Sequence, residues 1–427
     1  MHGPRSVQIF IFVSIMKIYA LILSVILPLL SCGHKADFVR TDGTRFILDG
    51  KPYYYIGANY WVGPILASPG EGGDRERLAH DLDVLQAAGV NNLRVLVGAD
   101  EPGANNRSII PYLQRGPGDL DPDLLEGLDY FMAELGRRGM KAVLYFNNHC
   151  PWSGGYTYYV RKVTGEEAPD YWGTGYPECA SKFISMDETQ EMFFEYLRTM
   201  VSRVNSVTGV AYKDDPAIFS WQIANEPRAF KDELHPRFIA FMHKSAEIIR
   251  SIDKNHMISS GCEGQQGCEN DPGEYETVHA DPLIDYLTFH IWPDNWGFAD
   301  LYGDSSSQLD NHIEVARKLG KPLVVEEFGL VRDGHSYDVM ASTAHRDEYY
   351  GWLFDKVIDS ASKGGLLAGA NFWAFAGAGR PRDTVWAEGD DLLGDPPFEP
   401  QGLFSVFDSD ASTLGTVREA NEALKAE

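Results

Sequence analysis

The chain has 427 residues, of which 44% are hydrophobic and 12% aromatic, more than the roughly 250 residues of a typical eightfold β/α barrel. Lys and Arg number 37 against 62 Asp and Glu, a formal charge of −25. Such an acidic chain repels nucleic acid and anionic lipid, whose recognition begins with Lys and Arg on phosphate, and it leaves neutral polymers open as ligands.

Residues 9–30 are almost wholly apolar apart from Lys17, long enough for one membrane helix. The charged start at Met16-Lys17, the apolar run and the ending Leu29-Leu30-Ser31-Cys32-Gly33 have the layout of a secretory signal, and that ending resembles the bacterial lipobox. Residues 1–32 are therefore read as a signal peptide with translation starting at Met16, cleavage before Cys32 and a lipid on the Cys32 thiol. Residues 33–37 are a tether, and 38–427 one domain. On this reading the protein is exported in a bacterium, as a secreted or lipid-anchored envelope protein that touches membrane only through its anchor. An uncleaved membrane helix is the alternative.

Two short β-like runs within 38–55 surround Asp42-Gly43 and Asp49-Gly50, both hairpin turn signals, and are expected to plug the bottom of a barrel. Residues 53–58 read as the first barrel strand, delivering Asn59, Tyr60 and Trp61 to its upper face. After an amphipathic stretch at 75–88, strand two spans 92–97 with Arg94 in its middle. A buried arginine requires acidic partners. Helix follows at 123–138 and strand three at 141–146.

No periodic segment then resumes until about residue 187, and a loop of that length in a compact domain is usually functional. It opens Asn147-Asn148-His149-Cys150-Pro151-Trp152 and holds Tyr156, Tyr158, Tyr159, Tyr171 and Trp172, a composition expected of a cleft wall. A helix at 188–205 leads into strand four, 218–224, which stops at Asn225-Glu226-Pro227 because proline ends strand pairing. Strand C-termini face the active site of a β/α barrel, so Glu226 is expected at its mouth. Helix 235–252 and strand five, 257–261, follow. In an exported protein Cys262 with Cys268, and Cys150 with Cys179, are the preferred disulfides among the three pairings four thiols allow; the spacing matches no zinc pattern. Strand six, 284–289, ends in His290-Ile291-Trp292-Pro293-Asp294-Asn295-Trp296-Gly297. Helix is expected at 306–319, and strand seven ends in Glu326-Glu327-Phe328-Gly329. Period-two alternation turns Glu326 away from the lumen and Glu327 into it. Helix 345–362, strand eight at 369–373, a Gly-, Asp- and Pro-rich loop at 375–400 and a helix at 416–425 complete the chain. No glycine-rich phosphate loop and no internal repeat stands out.

Two strand-end carboxylates suit glycoside hydrolysis, in which one acid protonates the leaving oxygen and the other attacks the anomeric carbon. At these motifs the chain resembles glycoside hydrolase family 5, and the string from His290 to Gly297 resembles its subfamily 7 endo-β-1,4-mannanases. The resemblance covers 38 to the C-terminus and implies a (β/α)8 TIM barrel with long βα loops, acting as a retaining hydrolase of β-1,4-mannosidic bonds in mannan, glucomannan or galactomannan, with no cofactor and no metal. Carried over, Glu226 in Asn-Glu-Pro is the acid/base and Glu327 before Phe-Gly the nucleophile. Arg94 lies under the nucleophile, holds it ionised and lowers its pKa, while the charge of Glu327 raises that of Glu226. Asn225 bonds the sugar 2-hydroxyl, Trp373 lies beneath the sugar whose bond breaks, and His290, Trp292, Trp61 and Asn148 complete the substrate set. Departures from the family are Trp292, where tyrosine is common, and His149 and Cys150, where aromatics are common. A β-1,4-glucanase or an exo-acting β-mannosidase or mannobiohydrolase uses the same carboxylates, and the loops 150–180 and 377–400 are placed to block one end of the cleft. A glycan-binding lipoprotein without catalysis is disfavoured by the presence of both carboxylates and Arg94.

Overall fold

The computed structural model describes residues 37–104 and 107–426; the signal segment, Cys32 and the tether up to residue 36 lie outside the described residues. All the elements that follow lie within Phe38–Glu427. Eight parallel strands form one sheet: β1 (Tyr55–Asn59), β2 (Asn92–Leu96), β3 (Lys141–Tyr145), β4 (Ile218–Gln222), β5 (Met257–Ser259), β6 (Leu287–Ile291), β7 (Leu323–Phe328) and β8 (Leu367–Phe372). They pair in sequence order, β8 pairs with β1, and a parallel bridge from Ser259 to Tyr286 joins β5 to the start of β6. The result is a (β/α)8 barrel. The helices after successive strands are α1 (Arg75–Ala87), α2 (Pro122–Arg138), α3 (Asp187–Val201), α4 (His235–Ile252), α5 (Pro272–Ala280), α6 (Leu301–Leu319), α7 (Ala344–Ser362) and α8 (Ala411–Ala426).

Local chemistry sets the helix ends. Asp74 and Asp121 accept hydrogen bonds from the free N–H groups of the first turns of α1 and α2, Pro122 opens α2, and Gly139 ends it in the left-handed conformation, the proline-first and glycine-last asymmetry of helices. Every barrel strand is buried along its length, which is why these runs are nearly continuously apolar rather than alternating.

The expected hairpin is a three-stranded antiparallel sheet, Arg40–Asp42, Arg45–Leu48 and Lys51–Pro52. It closes the barrel bottom: Phe46, fully buried, meets Phe219 and Tyr286 edge-on at centroid distances of 5.1 and 5.2 Å, and Val39 and Tyr53 join Tyr55, Val143, Met257 and Val324 in one cluster. Edge-to-face aromatic pairs add to area burial.

Three expectations shift. Strand six begins at Leu287 rather than 284, because the Lys321 ammonium binds the carbonyls of His279, Asp281 and Ile284 at 2.5 to 2.8 Å and holds that stretch as a turn; His290 therefore lies within β6. The long segment after β3 is not structureless, since it carries a helix at Gly155–Thr164 and two short ones at Tyr176–Ala180 and Lys182–Ser185. Its Tyr156, Tyr158 and Tyr159 belong to the core, Tyr156 stacking on Phe183 at 4.2 Å. The helix α5 has no counterpart among the sequence expectations. The expected disulfides are not formed either: Cys150, Cys179, Cys262 and Cys268 are buried free thiols.

Candidate functional site

At the C-terminal ends of the strands the chain leaves β4 without leaving the sheet. Ile223 and Ala224 donate to the carbonyls of Ser259 and Ser260, Asn225 to that of Asn147, and Glu226 to that of Gly261. The strand tip is thus strung between its two neighbours. Glu226 adopts a left-handed φ of 48°, a conformation that costs a non-glycine residue about 1–3 kcal/mol and persists where the surroundings impose it. Gly261 permits this approach, since a Cβ there would lie 1.8 Å from the Ala224 carbonyl oxygen.

On the other side of the barrel, β7 carries one residue more than either neighbour. Phe289 pairs with Val325 and His290 with Glu327, while between Val325 and Phe328 the pairing with β8 also slips. This is a β-bulge, and it re-aims side chains. Simple alternation therefore fails at Glu326, which points into the barrel and accepts from Gln222 Nε2 at 2.8 and 2.7 Å. Glu327 sits one level above it.

Arg94 joins the two levels. Fully buried, it donates to Glu327 Oε1 at 2.5 Å, Asn225 Oδ1 at 2.7 Å, Gln222 Oε1 at 2.8 Å and Asn59 Oδ1 at 3.1 Å. Its Nε lies 3.6 Å from Glu326 Oε2, and the Tyr145 ring lies 4.5 Å from its guanidinium carbon. Burial works against the Arg94 charge, but Glu327 and Glu326 outweigh it. Removing one partner of such a buried pair typically costs about 3–5 kcal/mol.

His290 bridges the carboxylates. Its Nδ1 lies 2.7 Å from Glu226 Oε1 and 3.3 Å from Glu327 Oε2, and one donor atom from each of the three residues lies within 4.8 Å of the others. Burial lowers the His290 pKa to about 4 and that of His149, whose Nδ1 lies 3.8 Å from Glu226, to about 3. The His290 imidazole is therefore neutral at pH 7, with Nδ1–H donating to Glu226. These three residues also have metal-ligand spacing, but the guanidinium already supplies the counter-charge of Glu327, so an ion there would face Arg94.

The electrostatics of the pair invert the sequence expectation. Burial, and then the charge of Glu226, push Glu327 well above the ordinary carboxylate range against the pull of Arg94. Burial also opposes the charge of Glu226, yet the hydrogen bond from His290, then His149 and Arg228, hold it at about 2. Two carboxylates this close cannot ionise independently, and they hold one proton between them until one is paired with a cation. Glu326, raised by burial to about 6, stays closer to ordinary because Arg94 and Gln222 stabilise its charge.

Both carboxylates open into a cleft of about 500 Å³ lined by Trp152, Trp292 and Trp373, with Tyr171, Trp172 and Phe398 among its other aromatics. Trp373 stands edge-on between Trp152 and Trp292, at 6.1 Å from each. Asn225 also lines it. Three expected contacts fall elsewhere: His290 is fully buried beside the carboxylates and does not line the cleft, and the other two lie behind it. Trp61 is buried behind Trp152, donating to the Gly394 carbonyl at 2.8 Å, and Asn148 is fully buried, accepting from Asn225 Nδ2 at 3.2 Å and donating to Ser153. Asn148 orients Asn225 instead of facing the cleft. Sequence reasoning passed over Gln222, the Arg228–Glu263 ion pair and Glu399, all at or under the cleft. Burial raises the Glu399 pKa to about 8; its only sequence signal is an acid within a long βα loop.

A family profile described as "GH family 5 beta-mannosidase-like" matches residues 36–427. A rice protein described as putative mannan endo-1,4-beta-mannosidase 9 is 33% identical over 392 residues, covering 86% of this chain and 88% of its own. Mannan endo-1,4-beta-mannosidase 7 of Arabidopsis thaliana is 30% identical over 358 residues, 79% of this chain and 77% of its own. A solved mutant of a glycoside hydrolase family 5 mannosidase from Rhizomucor miehei, in complex with mannosyl-fructose, superposes with a TM-score of 0.84 at 32% identity, covering 91% of this chain and 97% of that one. These relatives are plant and fungal, and they overturn the expectation of a lipid-anchored bacterial envelope protein, to which nothing among them points.

Coupling of the two carboxylates is open to direct measurement. In Glu226→Gln the charge that helps raise Glu327 is gone, so carbon-detected NMR should find the Glu327 carboxyl titrating at lower pH than in the unaltered protein. An unchanged or higher value would contradict their direct interaction.

Proposed function

This chain belongs to glycoside hydrolase family 5, within its β-mannosidase-like group, and from that premise we propose that it is a retaining mannan endo-1,4-β-mannosidase whose catalytic domain is residues 38–427. The observation that carries the reading is the carboxylate pair itself. A retaining pair stands about 5–5.5 Å apart, too close to admit an attacking water between them, and oxygens of Glu226 and Glu327 lie within 4.8 Å of each other.

In the proposed reaction Glu327 attacks the anomeric carbon while Glu226 protonates the departing oxygen, and Glu226 then acts as base for the water that releases the glycosyl intermediate. That reaction needs the proton on Glu226 and the charge on Glu327. Positive charge developing at the anomeric carbon favours ionised Glu327, and Arg94 is already in place to hold it. His290 Nδ1 lies within reach of both carboxylates and fixes their relative position. Asn225, fixed by Arg94 and Asn148, is assigned to the sugar 2-hydroxyl, and Trp373 and Trp292 to the sugar faces.

Exo-acting β-mannosidase is a second reading, favoured by one contact. Phe398 of the loop after β8 lies 5.7 Å from Tyr171 and 6.0 Å from Trp172, centroid to centroid, in the loop after β3. The two loops meet over the cleft, with Glu399 beside the junction, and a closed end of this kind admits only a chain terminus.

For Glu226→Ala we expect turnover of manno-oligosaccharides to fall by about 10²–10⁴-fold. Aryl mannosides with acidic phenols need little protonation and should still form the intermediate at nearly the original rate. Equal losses on both substrates would remove Glu226 from the acid role.

Product sizing on mannohexaose separates the two modes. Internal cleavage should give mannobiose and mannotriose from the earliest times. Mannose as sole early product would favour the exo reading, and Phe398→Ala should then lengthen the products; if it leaves mannose as the only product, the loop contact is not what restricts the cleft.

A further inference from the structure

Outside the cleft, one group of buried polar atoms has no role in the reaction above. His235 opens α4, Glu269 follows the short turn Gln265–Cys268, and Glu274 lies in the first turn of α5. His235 Nε2 lies 2.9 Å from Glu274 Oε2 and 3.5 Å from Glu269 Oε2, and one donor atom from each of the three lies within 4.8 Å of the others. Ligands about 2.0–2.1 Å from a tetrahedral ion are about 3.3 Å apart, so this spacing suits one ion.

Hydrogen bonding singles the group out further. Glu274 is 3% exposed, and neither of its carboxylate oxygens has a hydrogen-bond partner; the same holds for His235 Nε2 and Glu269 Oε2. The remaining atoms of these side chains and their neighbours are committed elsewhere. Glu269 Oε1 accepts from the Phe230 N–H at 3.0 Å, Asp271 Oδ1 caps α5 through the Gly273 N–H at 2.8 Å, and Arg228 pairs with Glu263. Asp271 adds its second oxygen 3.7 Å from His235 Nδ1. Three buried carboxylate oxygens, Glu274 Oε1 and Oε2 and Glu269 Oε2, thus converge on one ring nitrogen of His235, an excess of acceptors over donors that a cation satisfies.

We propose that His235, Glu269 and Glu274 bind one divalent transition-metal ion of the zinc class, tying the start of α4 to the segment that links β5 with α5. An imidazole nitrogen with two carboxylates selects such an ion over calcium or magnesium, which take oxygen ligands. The segment from β5 also carries Glu263 and Gln266, which line the cleft, so the ion braces one cleft wall from behind. It touches none of the reacting groups.

The test uses the full chain, stripped with a chelator and titrated with zinc chloride by calorimetry, with thermal unfolding in parallel. One zinc ion per chain and a rise in Tm are expected. Glu274→Gln should weaken zinc binding at least about tenfold and abolish the Tm rise. Its Tm without metal should not fall below that of the stripped unaltered chain, because the amide is neutral and nearly isosteric, and its kcat/KM without metal should stay within about twofold. His235→Gln should lose zinc in the same way. Calcium raising Tm where zinc does not would overturn the ion class. Equal zinc affinity in the unaltered chain and Glu274→Gln would overturn the site, and zinc inhibition common to both would place the ion on Glu226, His290 and Glu327 instead.

Discussion

A guanidinium buried at the centre of the barrel mouth is the constraint on which the rest of the site depends. Arg94 has no contact with solvent and satisfies its charge through Glu327, Asn225, Gln222 and Asn59, with Glu326 close by. Those partners come from β1, β4 and β7 or from the residue group just past β4, so one side chain sets the relative height of three strand tips. A lysine could supply the charge but not the planar fork of donors that reaches them together. The bulge in β7 follows from the same demand, since it brings two consecutive acids to the interior where ordinary alternation would allow one.

Opposite this anchor stands Glu226, held by backbone rather than by an ion pair. The chain past β4 continues to bond to the segments after β3 and β5, and the left-handed backbone at Glu226 aims the carboxylate at His290 and, across it, at Glu327. Two acids so close cannot both ionise freely. Which of them keeps the proton is decided by donors. His290 favours charge on Glu226, and Arg94 favours charge on Glu327. The cleft above is shaped by loops that differ in origin, the aromatic segment after β3 and the acidic segment after β8, which meet at Phe398.

Much of this was legible in the sequence, for reasons that lie in particular residues. Apolar runs ending abruptly in Asn225-Glu226-Pro227 and Glu326-Glu327-Phe328-Gly329 marked strand tips, because parallel strands are buried on both faces and stop where polarity begins. Arg94 within an apolar strand demanded acids, and found them. What could not be read depended on register or on distant neighbours. The inward turn of Glu326 needs the bulge, which leaves no composition signal. Trp61 and Asn148 were assigned to sugar because they follow strands, yet packing behind Trp152 and bonding to Asn225 decide their orientation. Pairing thiols by sequence proximity presumed an oxidising compartment, and that presumption came from residues 9–33, whose bacterial reading the plant and fungal relatives contradict. Tyr156 and its neighbours looked like a cleft wall, whereas their helix buries them.

The claim that Arg94-anchored Glu327, rather than its neighbour Glu326, is the atom source of the glycosyl bond is tested most directly by trapping the intermediate. A 2-deoxy-2-fluoro-mannosyl fluoride forms the intermediate but slows its release, and tandem mass spectrometry of the digested protein then locates the added mass. The account predicts the fluorosugar on Glu327 in a single copy, with the label lost on incubation with an acceptor sugar. Label on Glu326, or no label in protein that goes on hydrolysing mannan, would contradict it.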